Sequence, residues 1–177
     1  GDIALKGSDL HDTNGDCWSV SGRCTVTDNR LHRAAHACIE DFVPLGKRCL
    51  YARNEIYDST VHQLVSIGSP VTGHDDAGPV VFEGNYLHDH SGIQSAMYLS
   101  RGKNIVVRDN LFVDVAQTVN TRAIQLDAPT GSAAEVHIVS NRIRAHAKSA
   151  YGGIHVSDVD ALLGCSVEDN DVAVSPA

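Results

Sequence analysis

The stretch IVVRDNLFVD, residues 105–114, decides the fold. Its valines and isoleucine favour a strand, yet Asn110 is a turn-former set between two apolar runs. The same pattern returns in CTVTDNRLHR (24–33), CLYARNEIYD (49–58), VVFEGNYLHD (80–89), VHIVSNRIRA (136–145) and CSVEDNDVAV (165–174). Asn29, Asn54, Asn85, Asn110, Asn141 and Asn170 therefore mark a repeat. Their spacings of 25, 31, 25, 31 and 29 residues fall in the range of stacked structural units.

Around each marker the apolar positions alternate. Five and three residues before it stand pairs such as Cys24/Val26, Val80/Phe82 and Ile105/Val107, and two residues after it comes Leu31, Ile56, Leu87, Phe112, Ile143 or Val172. Period two across a corner means two short strands, each burying one face. A further apolar segment follows in every interval: CIEDF, LVSIG, AMYLS, AIQLD and GIHVS, with CWSV before the first marker. Three short strands per repeat without helical periodicity exclude βαβ and leucine-rich units. They predict an all-β chain, one right-handed parallel β-helix of about seven coils over residues 1–177, with the asparagines stacked as a ladder at one corner. A tight corner favours left-handed backbone geometry and leaves polar groups in need of partners, which stacked amides supply.

The run N-x-hydrophobic-x-D, present as NEIYD, NYLHD and NLFVD, resembles the repeat of the pectate-lyase-like superfamily. The resemblance extends from about Ile3, where IALKGSDLHD places Ser8 at the marker position, to Val174. It implies the fold, and it leaves open lyases, hydrolases, epimerases, tailspikes and adhesins, all of which that superfamily contains. The hydrolase signature, an Asp series followed by Gly-His-Gly and Arg-Ile-Lys, is missing; HDDAG (74–78) offers only Asp75 and Asp76. The epimerase Asp-Pro-His-Asp motif is missing as well.

The formal charge of −8 argues against a nucleic-acid partner and against purely electrostatic capture of an acidic polysaccharide. An acidic glycan would need local arginine or lysine, or a bridging cation. No window is long and apolar enough to insert in a membrane. Neither GDIALKG nor DVAVSPA reads as an end cap over the open strand edges. The chain is thus expected to be a piece of a longer β-helix, or to have its ends covered by another subunit, with self-association through open coils as a corollary. Five cysteines cannot all pair internally. Cys24 and Cys49 occupy equivalent positions in successive coils, within Cα reach of a disulfide but aimed in parallel, so both a reduced buried ladder and a Cys24–Cys49 bond remain open. Cys17 and Cys38 form a second such stack.

In the third strand family the inward positions are Val65/Ile67, Met97/Leu99, Ile124/Leu126 and Ile154/Val156. Their neighbours Ser66, Tyr98, Gln125 and His155 then form one outward column and Ser100, Asp127 and Ser157 the next, with Arg101, Arg122 and Asp158 at the strand ends. Such a face suits a sugar chain, which is held by planar hydrogen-bonding groups and aromatic rings. An ordinary solvated sheet face is also polar. A lyase acting on a uronate needs a cation beside the carboxylate and a base for the C5 proton. Tyr98, Arg101 and His155 are the candidate catalytic residues, and Gln125, Arg122 and Asp127 the candidate substrate-binding ones. No cofactor is required, although Ca²⁺ held by Asp127 is an alternative source of positive charge. Loops 69–79 and 128–135 follow this strand and are placed to wall the groove.

A second column follows the corner, with His11, His32, Tyr57 and His88 three residues after the marker and Asp12, Arg33, Asp58, Asp89 and Asp114 four after it. These read as solvated turn residues. His88 and His90 alternate onto one face around Asp89, but two histidines lack the third ligand of a metal site. Two functions compete: an extracellular or cell-surface polysaccharide lyase, and a non-catalytic carbohydrate-binding, adhesin or tailspike-like module. The outward column favours the first, the missing motifs and uncapped ends the second.

Overall fold

A computed structural model describes residues 2–41, 48–68, 79–100, 103–118, 121–127, 133–146, 152–157 and 162–175. Among them lie 21 strands and no helix. The strands sort into three parallel sheets, and each turn of the chain adds one strand to each. The fourth turn contributes Val80–Glu83, Tyr86–His88 and Met97–Ser100 in that order. The second sheet has 7 strands and the third 6; in the first, the last rung is split into Leu162–Leu163 and Ser166–Glu168, both paired with Ala133–Val139. This is the parallel β-helix that the repeat predicts.

The period-two pattern explains the register. Val80 pairs with Cys49 and Ile105, and Phe82 with Tyr51 and Val107, all six fully buried. In the second sheet Leu31, Ile56, Leu87, Phe112 and Ile143 make another buried column. The core is therefore a set of columns in which each side chain sits on its equivalent in the next coil. Each fully buried aliphatic residue contributes about 1.5–3 kcal/mol.

The asparagines form one continuous hydrogen-bonded line. Asn110 Nδ2 donates to Asn141 Oδ1 and to the Phe82 carbonyl of the preceding coil, both at 3.0 Å. Its Oδ1 accepts from the backbone N–H of Asn85 at 2.9 Å and from Asn85 Nδ2 at 3.0 Å. The same arrangement joins Asn29 to Asn54, Asn54 to Asn85 and Asn141 to Asn170. Ser8 closes the first position through its backbone N–H, which donates to Asn29 Oδ1. The left-handed geometry expected at this corner is present, but it falls on the residue before each asparagine: Asp28, Arg53, Asp109, Ser140 and Asp169 have φ between 53° and 61°, and Gly7 and Gly84 stand at 62° and 60°. The asparagine itself stays in a conformation that any residue adopts, and it was selected for its amide.

A second left-handed position occurs at Asp12, Arg33, Asp58, Asp89 and Asp114, with φ of 50–58°. Short polar side chains tolerate it best, which accounts for four aspartates in five turns being no coincidence of solvation alone. This backbone turn overturns the expected pairing of His88 with His90. A positive φ at Asp89 breaks the alternation, so His88 faces outward while His90 is fully buried. The outward column is also more ordered than solvated turn residues would be. The rings of His11, His32, Tyr57 and His88 stack along the coil axis with centroid separations of 5.0, 4.4 and 4.7 Å.

The five cysteines are free. Cys24 and Cys49 are partners in the register, as the reduced ladder requires. Beside them lies a polar cluster inside the coil: Asp41, which takes an inward position beside Ile67, accepts a 2.5 Å hydrogen bond from the Tyr51 hydroxyl. Burial and this carboxylate push the Tyr51 phenol well above its ordinary value, so it remains a donor. Replacing Asn110 with alanine is expected to cost about 1–3 kcal/mol, because it leaves the buried Asn85 backbone N–H without its acceptor and removes one donor each from Asn141 Oδ1 and the Phe82 carbonyl. Asn170→Ala, at the last rung of the ladder, should cost clearly less. Urea unfolding of both variants beside the parent checks this.

Candidate functional site

A groove of about 500 Å³ runs over the outer face of the third sheet. Its floor is the outward column that alternation dictates. The register sets Ser66 beside Tyr98, Tyr98 beside Gln125 and Gln125 beside His155, while Met97 and Ile124 point inward and are fully buried. Tyr98, Arg122, Gln125 and Asp127 line the groove; His155 stands one rung beyond it. Arg101, Asp158, Asp75 and Asp76 lie outside the described residues, as do loop segments 69–78 and 128–132. Ser100 is on the outward side of its strand, yet it is buried rather than surface-exposed.

The polar residues on the floor are held in place by one another. Ser95 Oγ donates to Gln125 Oε1 at 2.8 Å, and Gln125 Nε2 donates to Asp127 Oδ2 at 2.7 Å. Ser157 Oγ donates to the other Asp127 oxygen. The Gln125 amide is thereby fixed in plane, as a group that reads hydroxyls must be.

One wall is segment 90–95, docked on the turn at 59–63. His90 anchors it from inside: Nε2 donates to the His62 carbonyl at 2.8 Å. Backbone bonds from Ser91 to Ser59 and from Ile93 to Val61 extend the contact. Gly92 is required by this docking, since a Cβ there would come within 2.3 Å of the His62 carbonyl oxygen. The wall presents His62, Gln63, Ile93, Gln94 and Ser95 to the groove.

The other end of the groove holds a group that the sequence reading passed over. Glu40 pairs in register with Ser19 and Ser66, so it belongs to the same outward column as Tyr98. His36 Nδ1 lies 2.8 Å from Asp16 Oδ1 and 3.5 Å from Glu40 Oε2. The His36 and His62 rings are 4.6 Å apart. Burial, and then the facing Asp16 carboxylate, push Glu40 up to about 7. The signal for Glu40 was in the chain: counting outward from the inward Ile39 places it on this face. Asp16 and His36 lie on turns between strands, where no periodicity reports orientation.

Burial holds the His90 imidazole below its ordinary 6.5, against the opposing effect of its bond to His62. The unfolded chain then binds this proton more readily than the folded one. His90 stabilises the fold fully above pH 6.5, and that contribution is lost as the pH falls below it. The urea midpoint should drop on acidification from pH 6.5 to about 5, and less steeply in His90→Gln, which keeps a donor for the His62 carbonyl.

A family model described as a right handed beta helix region matches residues 5–175. No curated protein and no solved structure gives a significant match.

Proposed function

Because this chain belongs to the right-handed β-helix family, whose shared coil carries many chemistries, we propose a function from its groove: β-elimination on a uronate-containing polysaccharide, outside the cell or at its surface. The observation that carries the reading is the meeting of Arg122, Tyr98 and the amides of Gln63, Gln94 and Gln125 in one groove of about 500 Å³. Coils spaced by about 4.8 Å set side chains from successive turns at intervals comparable to sugar units.

In this reading the Arg122 guanidinium pairs with the uronate carboxylate and makes the adjacent C5–H more acidic. The Tyr98 oxygen, as phenolate, takes the C5 proton. The C5–H electron pair becomes the C4–C5 double bond as the C4–O bond breaks, and the leaving oxygen takes a proton from water or a groove acid. Gln125 and Asp127 hold the sugar hydroxyls. Tyr98 is assigned the base in preference to His155 because it shares the groove with Arg122. His155 extends the column towards a further sugar, and Arg101 belongs to the same end of the strand family in sequence.

Incubating the chain with a panel of uronate polysaccharides and following the ultraviolet absorbance of the unsaturated product tests the reading. Tyr98→Phe should lower turnover at least about a hundredfold while the melting temperature stays nearly constant, since loss of one positioned proton-transfer group costs about 10²–10⁴ in rate. Arg122→Ala should both weaken substrate binding and lower turnover, because the guanidinium pairs with the carboxylate and acidifies the C5–H. Full activity in Tyr98→Phe would remove the assignment of the base. Saturable oligosaccharide binding without any product across the panel would instead favour the carbohydrate-binding module.

A further inference from the structure

Asp16, His36 and Glu40 converge at the end of the groove, with one ligand atom from each lying within 4.8 Å of the others. We propose that they form a three-ligand site for a divalent transition-metal ion of the Mn²⁺ to Zn²⁺ class, opening onto the groove. The inference stands on this cluster alone and does not depend on the glycan reading.

The spacing suits an ion. Metal–ligand bonds of about 2.1 Å put neighbouring ligand atoms about 3.0–3.4 Å apart in octahedral or tetrahedral geometry. The separations of 2.8 Å from Asp16 to His36 and 3.5 Å from His36 to Glu40 bracket that range. An ion at the centre would replace the proton that His36 Nδ1 otherwise shares with the carboxylates.

The charge balance points the same way. The Asp16 and Glu40 side chains are each only 16% exposed. Among the described residues their ion pairs are both with His36, and neither carboxylate has an arginine or lysine beside it. Two carboxylates held this close in a half-buried site disfavour each other's ionised form, and a cation between them relieves that repulsion.

The ligands are also held from behind. The Ala37 N–H donates to Asp16 Oδ1 at 3.0 Å, and the His36 N–H donates to the Gly15 carbonyl at 3.2 Å. Glu40 is fixed within its strand, Ile39–Asp41. His36 and Glu40 line the groove, so the remaining coordination positions face a solvent-filled space that a small ligand can enter. One nitrogen and two carboxylates favour a borderline metal over Ca²⁺, which takes six to eight oxygen ligands at longer distances.

Calorimetric titration of the chelator-treated full chain with ZnCl₂, MnCl₂ and CaCl₂ tests the site. Expected are saturable one-to-one binding of Zn²⁺, weaker binding of Mn²⁺, little heat with Ca²⁺, and a higher melting temperature with Zn²⁺. Asp16→Asn and Glu40→Gln should each weaken Zn²⁺ at least about tenfold, and His36→Ala should abolish the visible absorption bands of bound Co²⁺. His11→Ala, in the ring stack of the second sheet, should leave all of this unchanged. Asp16→Asn keeps the oxygen that the Ala37 N–H requires, so it carries the test even where His36→Ala melts early. Absence of saturable binding, undiminished affinity in Asp16→Asn and Glu40→Gln, loss of binding in His11→Ala, or Ca²⁺ binding as tight as Zn²⁺ would overturn the proposal.

Discussion

The hydrogen bond between stacked asparagine amides is the constraint on which the rest of the coil depends. Each amide bonds to its neighbour and to the backbone of the coil before it, so every turn must present the same corner at the same height. Once that corner is fixed, the strands on either side fall into register and the apolar side chains stack in buried columns. The residue before each asparagine makes the bend, and the amide satisfies the polar groups that the bend exposes. Division of labour between adjacent residues explains why the bending position accepts Asp, Arg, Ser and Gly while the next position stays Asn.

A fixed corner also decides where the chain can vary. The interval between successive asparagines changes from 25 to 31 residues, yet the register of the flanking sheets is kept, with Val80 still over Cys49 and Ile105 still under Val136. Most of the additional residues fall after the third-sheet strand, away from the ladder. Surface charge follows the same geometry. Arg53 lies on Asp28 and Arg108 on Glu83, each pair bridging neighbouring coils at equivalent positions. Such pairs are exposed and individually worth little, but they balance charge locally in an acidic chain.

The candidate site uses what the coil offers: a flat sheet on which one residue per rung faces out. Glu40, Ser66, Tyr98 and Gln125 come from four successive rungs of a single column. Depth is supplied by irregular segments. His90 pins the wall at 90–95 from the interior, and the turns carrying Asp16 and His36 close the far end. Regular strands thus set the spacing of the groove, and the turns set its chemistry. The interior polar cluster of Asp41, Tyr51 and Cys24 lies directly behind this face, and its buried carboxylate is held by the Tyr51 hydroxyl rather than by solvent.

The repeat of Asn29 to Asn170, the alternation around it and the outward placement of Tyr98, Gln125 and His155 were all legible in the chain, because a period of two and a fixed corner leave each strand residue only two orientations. Tertiary structure alone decided the rest, and for one reason: orientation in a turn is set by φ and ψ at single residues, which carry no periodicity. A positive φ at Asp89 sent His90 inward when alternation placed it beside His88. Turn geometry brought Asp16 and His36 to Glu40 across 24 residues of sequence, from Asp16 to Glu40, that share no motif. Stacking of His11, His32, Tyr57 and His88 likewise needed the coils to be assembled, since rings that meet at 4.4–5.0 Å are more than 20 residues apart along the chain.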